Sequence, residues 1–63
     1  MKGRIIMILY YTFDHTTYLK TTFIYLHDLM EFILNLKRNN AGFQVINLIA
    51  AAEVIEVVTR LLA

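Results

Sequence analysis

Apolar, aromatic and β-branched side chains dominate two stretches near the start of the chain, residues 4–13 and residues 17–25. Side chains of this kind fit the pleated surface of a β-sheet. A short polar segment from Asp14 to Thr16 separates the stretches, and aspartate favours a turn because its carboxylate bonds the backbone that follows it. The pattern predicts an antiparallel hairpin with strands over 4–13 and 17–25 and a turn over 14–16.

The first predicted strand is apolar on both of its faces. Strand alternation divides its side chains into two sets, which are Ile6, Ile8 and Tyr10 on one face and Ile5, Met7, Leu9, Tyr11 and Phe13 on the other. A strand with one face in water normally alternates apolar with polar residues. We therefore expect both faces to be covered in the functional protein, the second face by something other than the one clear helix of this chain.

Polar residues recur at helical spacing between residues 28 and 38. They form one narrow stripe, which consists of Asp28, Glu31, Asn35 and Arg38. The remaining positions are apolar and give an arc wider than one sheet face requires. The pattern predicts a helix over 28–38 with Asp28 as its N-cap. The segment 39–42 should end this helix, because it is rich in residues that tolerate left-handed backbone.

The last third of the chain supports two interpretations. Residues 43–49 are strand-like in composition, and residues 54–59 are again rich in β-branched side chains. This composition favours a strand over 43–49, a helical turn over 50–53 and a strand over 54–59. In the alternative, the three alanines at 50–52 favour a helix over 50–62, on which Glu56 and Arg60 would form an i, i+4 pair.

The predicted fold class is therefore α+β, a small antiparallel sheet with one helix in the order ββα followed by one or two strands, assembled as an oligomer. The alternative order is ββαβα with a C-terminal helix. We expect residues 1–63 to form a single small domain. Composition strengthens the expectation of assembly, because 59% of the residues are hydrophobic, and a chain of this size buries only about 60% of its unfolded surface when it folds alone.

Hydrophobic content of this level can also indicate a membrane protein. The longest unbroken apolar run, Ile5–Tyr11, has seven residues, whereas a spanning helix needs about 20. We therefore expect no membrane partner. The chain contains no cysteine, so it has no disulfide or thiolate metal site and suits a reducing compartment. We expect a cytoplasmic protein.

The charge pattern argues against a nucleic-acid partner. Six lysines and arginines against five acidic residues give a net charge of +1, and the basic residues are scattered along the chain. Nucleic-acid-binding proteins usually present a basic stripe that neutralises several phosphates. The alternative we retain is a nucleic-acid-binding module that uses the tyrosines of the hairpin to stack on bases, together with Lys20, Lys37 and Arg38.

Candidate chemistry is limited to His15 and His27, which are the two side chains that titrate near neutral pH. A catalytic or metal site would need them to converge with each other or with carboxylates. The hairpin places them at opposite ends of the second strand, about 30 Å apart at about 3.3 Å per residue. The sequence holds no phosphate loop, nucleophile elbow or zinc-protease motif. We expect no enzyme activity, catalytic residue, cofactor or metal.

Aromatic residues are concentrated in the hairpin, and the arc of the helix is wide. Tyrosine suits subunit interfaces because its apolar ring carries a polar tip. The residues predicted to form interfaces, with a second copy of the chain or with a target protein, are Ile6, Ile8, Tyr10, Tyr11, Phe13, Tyr18, Phe23, Met30 and Leu34.

The stretch from Ala51 to Val58, AAEVIEVV, resembles the last strand of the small bacteriophage inhibitors of uracil-DNA glycosylase. Those inhibitors are similar in length and order of elements, and they act as dimers that occupy the DNA groove of a host enzyme. They are acidic DNA mimics and this chain is not, so no functional residue is carried over. The resemblance implies a broader class of small phage-encoded proteins that oligomerise and block a host enzyme or defence system in the host cytoplasm.

Overall fold

A computed structural model describes residues 6–63, which form three strands and two helices. In chain order these elements are β1 (Met7–Thr12), β2 (Tyr18–Phe23), α1 (Leu26–Asn39), β3 (Gln44–Ile49) and α2 (Ala52–Leu62). The fold class is α+β, as predicted, and the order of elements is the ββαβα alternative. Residues 4 and 5 of the predicted first strand lie outside the described residues.

β1 is the central strand of the sheet, whose order is β2-β1-β3. It pairs antiparallel with both neighbours, so β2 and β3 run parallel to each other on either side of it. The predicted hairpin is confirmed, with strands shorter than expected and a five-residue connection over 13–17. The predicted strand over 43–49 is also confirmed as β3.

A β-bulge interrupts the pairing of β3 with β1. Tyr10 lies opposite Asn47 and the next residue, Tyr11, lies opposite Val45, so Ile46 has no partner on β1. An extra residue on one strand shifts the alternation of side chains between the two faces. Val45 and Leu48 consequently both point to the helix side, and the two residues between them point to the other side.

Both helices cover the same face of the sheet. The buried core consists of Met7, Leu9, Leu29, Ile33 and Val58. Met7 and Leu9 share one face of β1, while Leu29 and Ile33 come from α1 and Val58 comes from α2. The wide apolar arc predicted for α1 exceeds what this core takes up, because Leu34 remains exposed and Met30 is only half-buried.

α1 begins two residues before the predicted helix and ends one residue after it. Its N-cap is Tyr25, which makes no capping side-chain hydrogen bond, so the prediction that Asp28 caps the helix is wrong. Asp28 lies in the first helical turn, where its carboxylate favours the positive end of the helix dipole without closing the helix. Leu29 is buried in the core and Leu26 packs against the same core, which favours a helix that begins at Leu26.

The end of α1 does not use the left-handed backbone that the sequence predicts. Asn40 is extended, with φ −136° and ψ 108°, and the described glycine has no positive φ. Gly42 is required for space instead, because a Cβ at this position would overlap the backbone carbonyl oxygen of Phe13. The α1–β3 connection thus packs directly on the backbone that leaves β1.

The prediction of a strand over 54–59 is wrong, because this segment lies within α2. Its β-branched composition favours a strand, but Val54 and Val58 recur at helical spacing and pack on the core. The expected i, i+4 pair also forms, with Arg60 Nη2 3.2 Å from Glu56 Oε2. Burial of one helical face outweighs a β-propensity that spans only about 1 kcal/mol per residue.

The two helices end side by side. Lys37 Nζ, in the last turn of α1, donates to the carbonyl oxygen of Leu61 near the end of α2 at 3.0 Å. Cations stabilise helix C-termini, where unbonded carbonyl groups carry partial negative charge. The positive charge of Lys37 therefore stabilises the C-terminal ends of both helices. In the described residues, no helix combines the length and apolar character needed to cross a membrane.

The two faces of β1 should respond differently to the same substitution. We expect Leu9→Asp to abolish cooperative urea unfolding, because a charge buried without a partner costs several kcal/mol, comparable to the stability of a small domain. The neighbouring Ile8→Asp should keep the native far-UV circular dichroism, since Ile8 lies on the face without helices. Unfolding by Ile8→Asp to the same extent as by Leu9→Asp would contradict this division.

Candidate functional site

The face of the sheet opposite the helices is the largest candidate surface, and we call it the open face. The register of the three strands places on it Ile8, Tyr10, Tyr18, Lys20, Thr22, Gln44, Asn47 and Ile49, together with Ile46 at the bulge. Ile6 continues the same alternation before β1. Apolar residues on it remain in water, with exposed fractions of 52% for Ile6, 49% for Ile46 and 50% for Ile49. A monomer rarely exposes so contiguous an apolar surface unless it binds something.

Four of the residues predicted to form interfaces lie together on the open face. These are Ile6, Ile8, Tyr10 and Tyr18, and Tyr18 is 61% exposed. Cross-strand pairing brings them together because β1 and β2 are antiparallel neighbours. All four residues lie within the two predicted strands of the hairpin, so this part of the open face follows from the hairpin alone.

Three other predicted interface residues contribute to an aromatic cluster away from the open face, and two of them, Tyr11 and Phe23, pack on the core. Tyr11 and Phe23 lie on the helix side and pack at 5.4 Å and 5.1 Å, ring centre to ring centre, from Phe32 of α1. Phe13, which is partly exposed, joins the same aromatic cluster through Tyr11 at 5.6 Å. Among these three rings, Tyr11 and Phe23 are half-buried and Phe13 is exposed.

Met30 and Leu34 lie on α1, one turn apart, on the opposite side of the molecule from the open face. The nine predicted residues are consequently divided among the open face, the core and the helix layer. The structure brings only the first group together into one surface.

Sequence analysis missed the contribution of β3 to the open face. Ile49 lies opposite Ile8 across the β1–β3 pairing, and Ile46 reaches the same face through the bulge. The strand-like composition of residues 43–49 was a visible signal, but the face that each side chain occupies depends on which strand β3 joins. A long-range register of this kind is not set by local pattern.

The open face is apolar at its centre and carries one cation among the described residues. Lys20 lies opposite Tyr10 in the β1–β2 pairing. Thr22, Gln44 and Asn47 supply hydrogen-bonding groups around the isoleucines. An apolar centre with a polar surround is typical of protein–protein interfaces.

The two edges of the sheet differ in how they are protected. β2 carries Lys20 in its middle, and a lysine discourages another strand from pairing at an edge. β3, with the sequence QVINLI, contains no charged residue, proline or glycine. Its Leu48 N–H donates to Asn47 Oδ1 at 2.9 Å, so at the bulge this donor is bonded within β3 itself.

The hairpin connection is organised around a buried threonine hydroxyl. Thr12 Oγ1 donates to the carbonyl oxygen of Thr17 at 2.7 Å and accepts the backbone N–H of His15 at 3.0 Å and that of Asp14 at 3.3 Å. Thr12 is fully buried, so these bonds satisfy groups that water cannot reach. His15 adopts a φ of 64°, in the left-handed region that costs energy for a residue with a Cβ.

Asp14 completes this connection from the solvent side. Its Oδ1 accepts the backbone N–H groups of Thr16 and Thr17, each at 2.9 Å. The bond from Thr17 and then the bond from Thr16 lower the pKa of Asp14 from its ordinary 3.8 to about 2, because both bonds favour the charged carboxylate. The predicted role of Asp14 in a turn is confirmed, although the turn extends over five residues.

The two histidines lie in different parts of the molecule, one in the hairpin connection and the other in the first turn of α1. His27 Nε2 lies 3.6 Å from Glu31 Oε2. Ligand atoms of His27, Asp28 and Glu31 come within 4.8 Å of one another, and all three side chains are exposed. Exposed polar groups at this spacing occur on many helix surfaces, and the contact follows from the helix starting earlier than predicted.

Within residues 6–63 there is no enclosed pocket. Comparison of the chain with known protein families, curated proteins and solved structures finds no match. The resemblance to phage inhibitors of uracil-DNA glycosylase therefore stays a prediction, and the segment that carries it is a helix here instead of a strand.

The depressed pKa of Asp14 predicts how acid affects the hairpin connection. The folded pKa of about 2 lies below the unfolded value, so the stabilisation is complete above about pH 4 and is lost as the pH falls toward 2. We expect the Asp14 carboxyl carbon to titrate with a pKa near 2 by nuclear magnetic resonance. Asp14→Asn should remove that part of the acid dependence, with Glu53→Gln on the exposed start of α2 as a control. A normal pKa for Asp14 would show that the two backbone bonds do not persist in solution.

Proposed function

We propose that this protein is a non-enzymatic binding protein that self-associates and binds a protein partner through the open face, thereby inhibiting or sequestering that partner. The working location we propose is the cytoplasm. In the class that the resemblance implies, the chain is phage-encoded and its partner is a host enzyme or a component of host defence.

The observation that carries the proposal is the apolar open face. Isoleucines from β1 and β3 and tyrosines from the hairpin lie on one face of the sheet, while both helices pack on the other face. Covering this surface would remove apolar area from water at about 25 cal/mol per Å². Exposed tyrosine is also among the residues that contribute most to binding at protein interfaces.

The distribution of titratable groups favours binding over catalysis. His15 is held in the hairpin connection and His27 is in the first turn of α1, and both side chains are exposed. General acid–base catalysis needs such a group positioned against a substrate in a shielded site. An apolar surface supplies buried contact area and shape complementarity, which binding to a protein partner requires.

A second candidate function is single-stranded nucleic-acid binding on the same face. It is favoured by the cross-strand pair of Tyr10 and Lys20 and by the exposed ring of Tyr18, since aromatic rings stack on bases and a lysine contacts phosphate. One lysine amid isoleucines supplies little charge for a phosphate backbone, so a protein partner ranks first.

The proposal can be tested by affinity capture from lysate of the host cell with matched variants. Ile6→Ser combined with Tyr18→Ser removes two side chains, each more than half exposed, from the open face. We expect this double variant to lose at least about tenfold of the captured partner, because large apolar and aromatic side chains dominate interface energies. Native circular dichroism would show that the fold is retained.

The control is Leu34→Ser combined with Ile55→Ser, which removes two exposed apolar side chains, with exposed fractions of 37% and 40%, from the helix layer. It should capture the partner as well as the original sequence does. Nuclease treatment of the lysate separates the two candidate functions: capture that survives treatment supports a protein partner, and capture lost on treatment supports nucleic acid. Equal capture by all variants would contradict a role for the open face.

A further inference from the structure

The outer edge of β3 is the strand edge least protected against pairing with another chain. β3 lies at the end of the sheet and pairs with β1 on one side. Its six residues carry no charge, proline or glycine, the features with which proteins usually block an edge. The opposite edge, β2, has Lys20 at its centre. Among the described strands, β3 is therefore the better template for an added strand.

The bulge gives β3 and its flanking residues an unusual symmetry. From Phe43 to Ala50 the side chains read half-buried, exposed, half-buried, exposed, exposed, half-buried, exposed, half-buried. This order is the same in both directions, because Ile46 and Asn47 both point away from the helices. A regular strand alternates equally about every residue, so it has no single preferred centre, and the bulge is what provides one here.

Antiparallel pairing of β3 with a second β3 has one register that respects this symmetry over all eight positions. With the twofold axis between Ile46 and Asn47, Val45 lies opposite Leu48 of the second copy, both on the helix side. Gln44 then lies opposite Ile49 of the second copy, both on the open face. A shift by one residue would set helix-side residues against open-face residues, which sheet pairing does not permit.

We propose that two copies of the chain pair through β3 in this register and form a continuous six-stranded sheet. The inference rests on the self-association in the proposed function and names the surface that performs it. Eight paired positions provide roughly six main-chain hydrogen bonds, allowing for the two bulges. The four helices lie on one side of this sheet, and the two open faces join into one apolar surface on the other side.

A second copy fits this edge better than an unrelated strand does. Any extended peptide could bond the backbone groups of this edge, among which the Leu48 N–H already donates to Asn47 Oδ1. Only a strand with the same central irregularity, however, matches the order of exposed and half-buried side chains on both sides of the bulge. A chain identical to β3 has that irregularity by definition, and a twofold axis places the two bulges against each other. In this assembly the two open faces stay available, side by side, for the protein partner of the proposed function.

Disulfide trapping tests the register directly, since the chain contains no cysteine of its own. In the double variant Gln44→Cys and Ile49→Cys, each introduced thiol lies opposite its partner in the second copy, and both positions are exposed. Within one chain the two positions are about 17 Å apart along the strand, too far for a bond that needs Cα atoms within about 7 Å. Every disulfide formed is therefore between chains.

The control places the same pair of thiols on the other edge. Tyr18→Cys and Thr22→Cys are exposed positions of β2 on the open face, and they are also too far apart to bond within one chain. Both variants are oxidised at low micromolar concentration in a glutathione buffer and separated on non-reducing gels. Circular dichroism of each reduced variant confirms that it is folded.

We expect the β3 variant to form a covalent dimer without free thiols and to give at least about tenfold more dimer than the β2 variant, because pre-paired thiols react at a high effective concentration. Equal trapping of both variants, or preferential trapping of the β2 variant, would overturn the proposal. If the original sequence sediments as an oligomer while the β3 variant does not cross-link, pairing through β3 is wrong and self-association stands. If the original sequence sediments as a monomer, both the pairing through β3 and the proposed self-association are wrong.

Discussion

The placement of both helices on one face of a three-stranded sheet determines the rest of this structure. β1 is the strand that bonds to both neighbours, and its Met7 and Leu9 anchor the core beneath α1 and α2. In residues 6–63 no further element covers the opposite face. Isoleucines and Tyr18 of that face are therefore exposed to water, and covering them with another surface would be favourable.

This constraint relates the bulge, the edge and the open face to one another. Without the bulge, β3 would present a regular alternation and no preferred centre for pairing. With it, Ile46 joins Ile49 on the open face, and the edge gains a twofold register. The same local irregularity thus enlarges the apolar surface and specifies how two copies can align. The Thr12 and Asp14 hydrogen bonds at the far end of β1 hold the hairpin that supplies the tyrosines.

Local pattern was sufficient to predict the hairpin and α1 from their periodicity and β3 from its composition. For the last segment it left a strand and a helix open and favoured the strand, because β-branched side chains favour a strand by propensity while Val54 and Val58 favour a helix by spacing. Only contact with the core decides between them. The cap of α1 at Tyr25 and the need for Gly42 were likewise set by tertiary contacts. Half of the open face was predictable from the hairpin, and the β3 half required a register between strands distant in sequence.

Sedimentation velocity of the unmodified protein across the micromolar range tests the central claim most directly. If two copies pair through the free edge of β3, the folded protein should sediment as a dimer or larger species that dissociates on dilution. Circular dichroism at each concentration would relate the folded content to the assembly. A folded monomer that remains monomeric and stable at every concentration would contradict self-association.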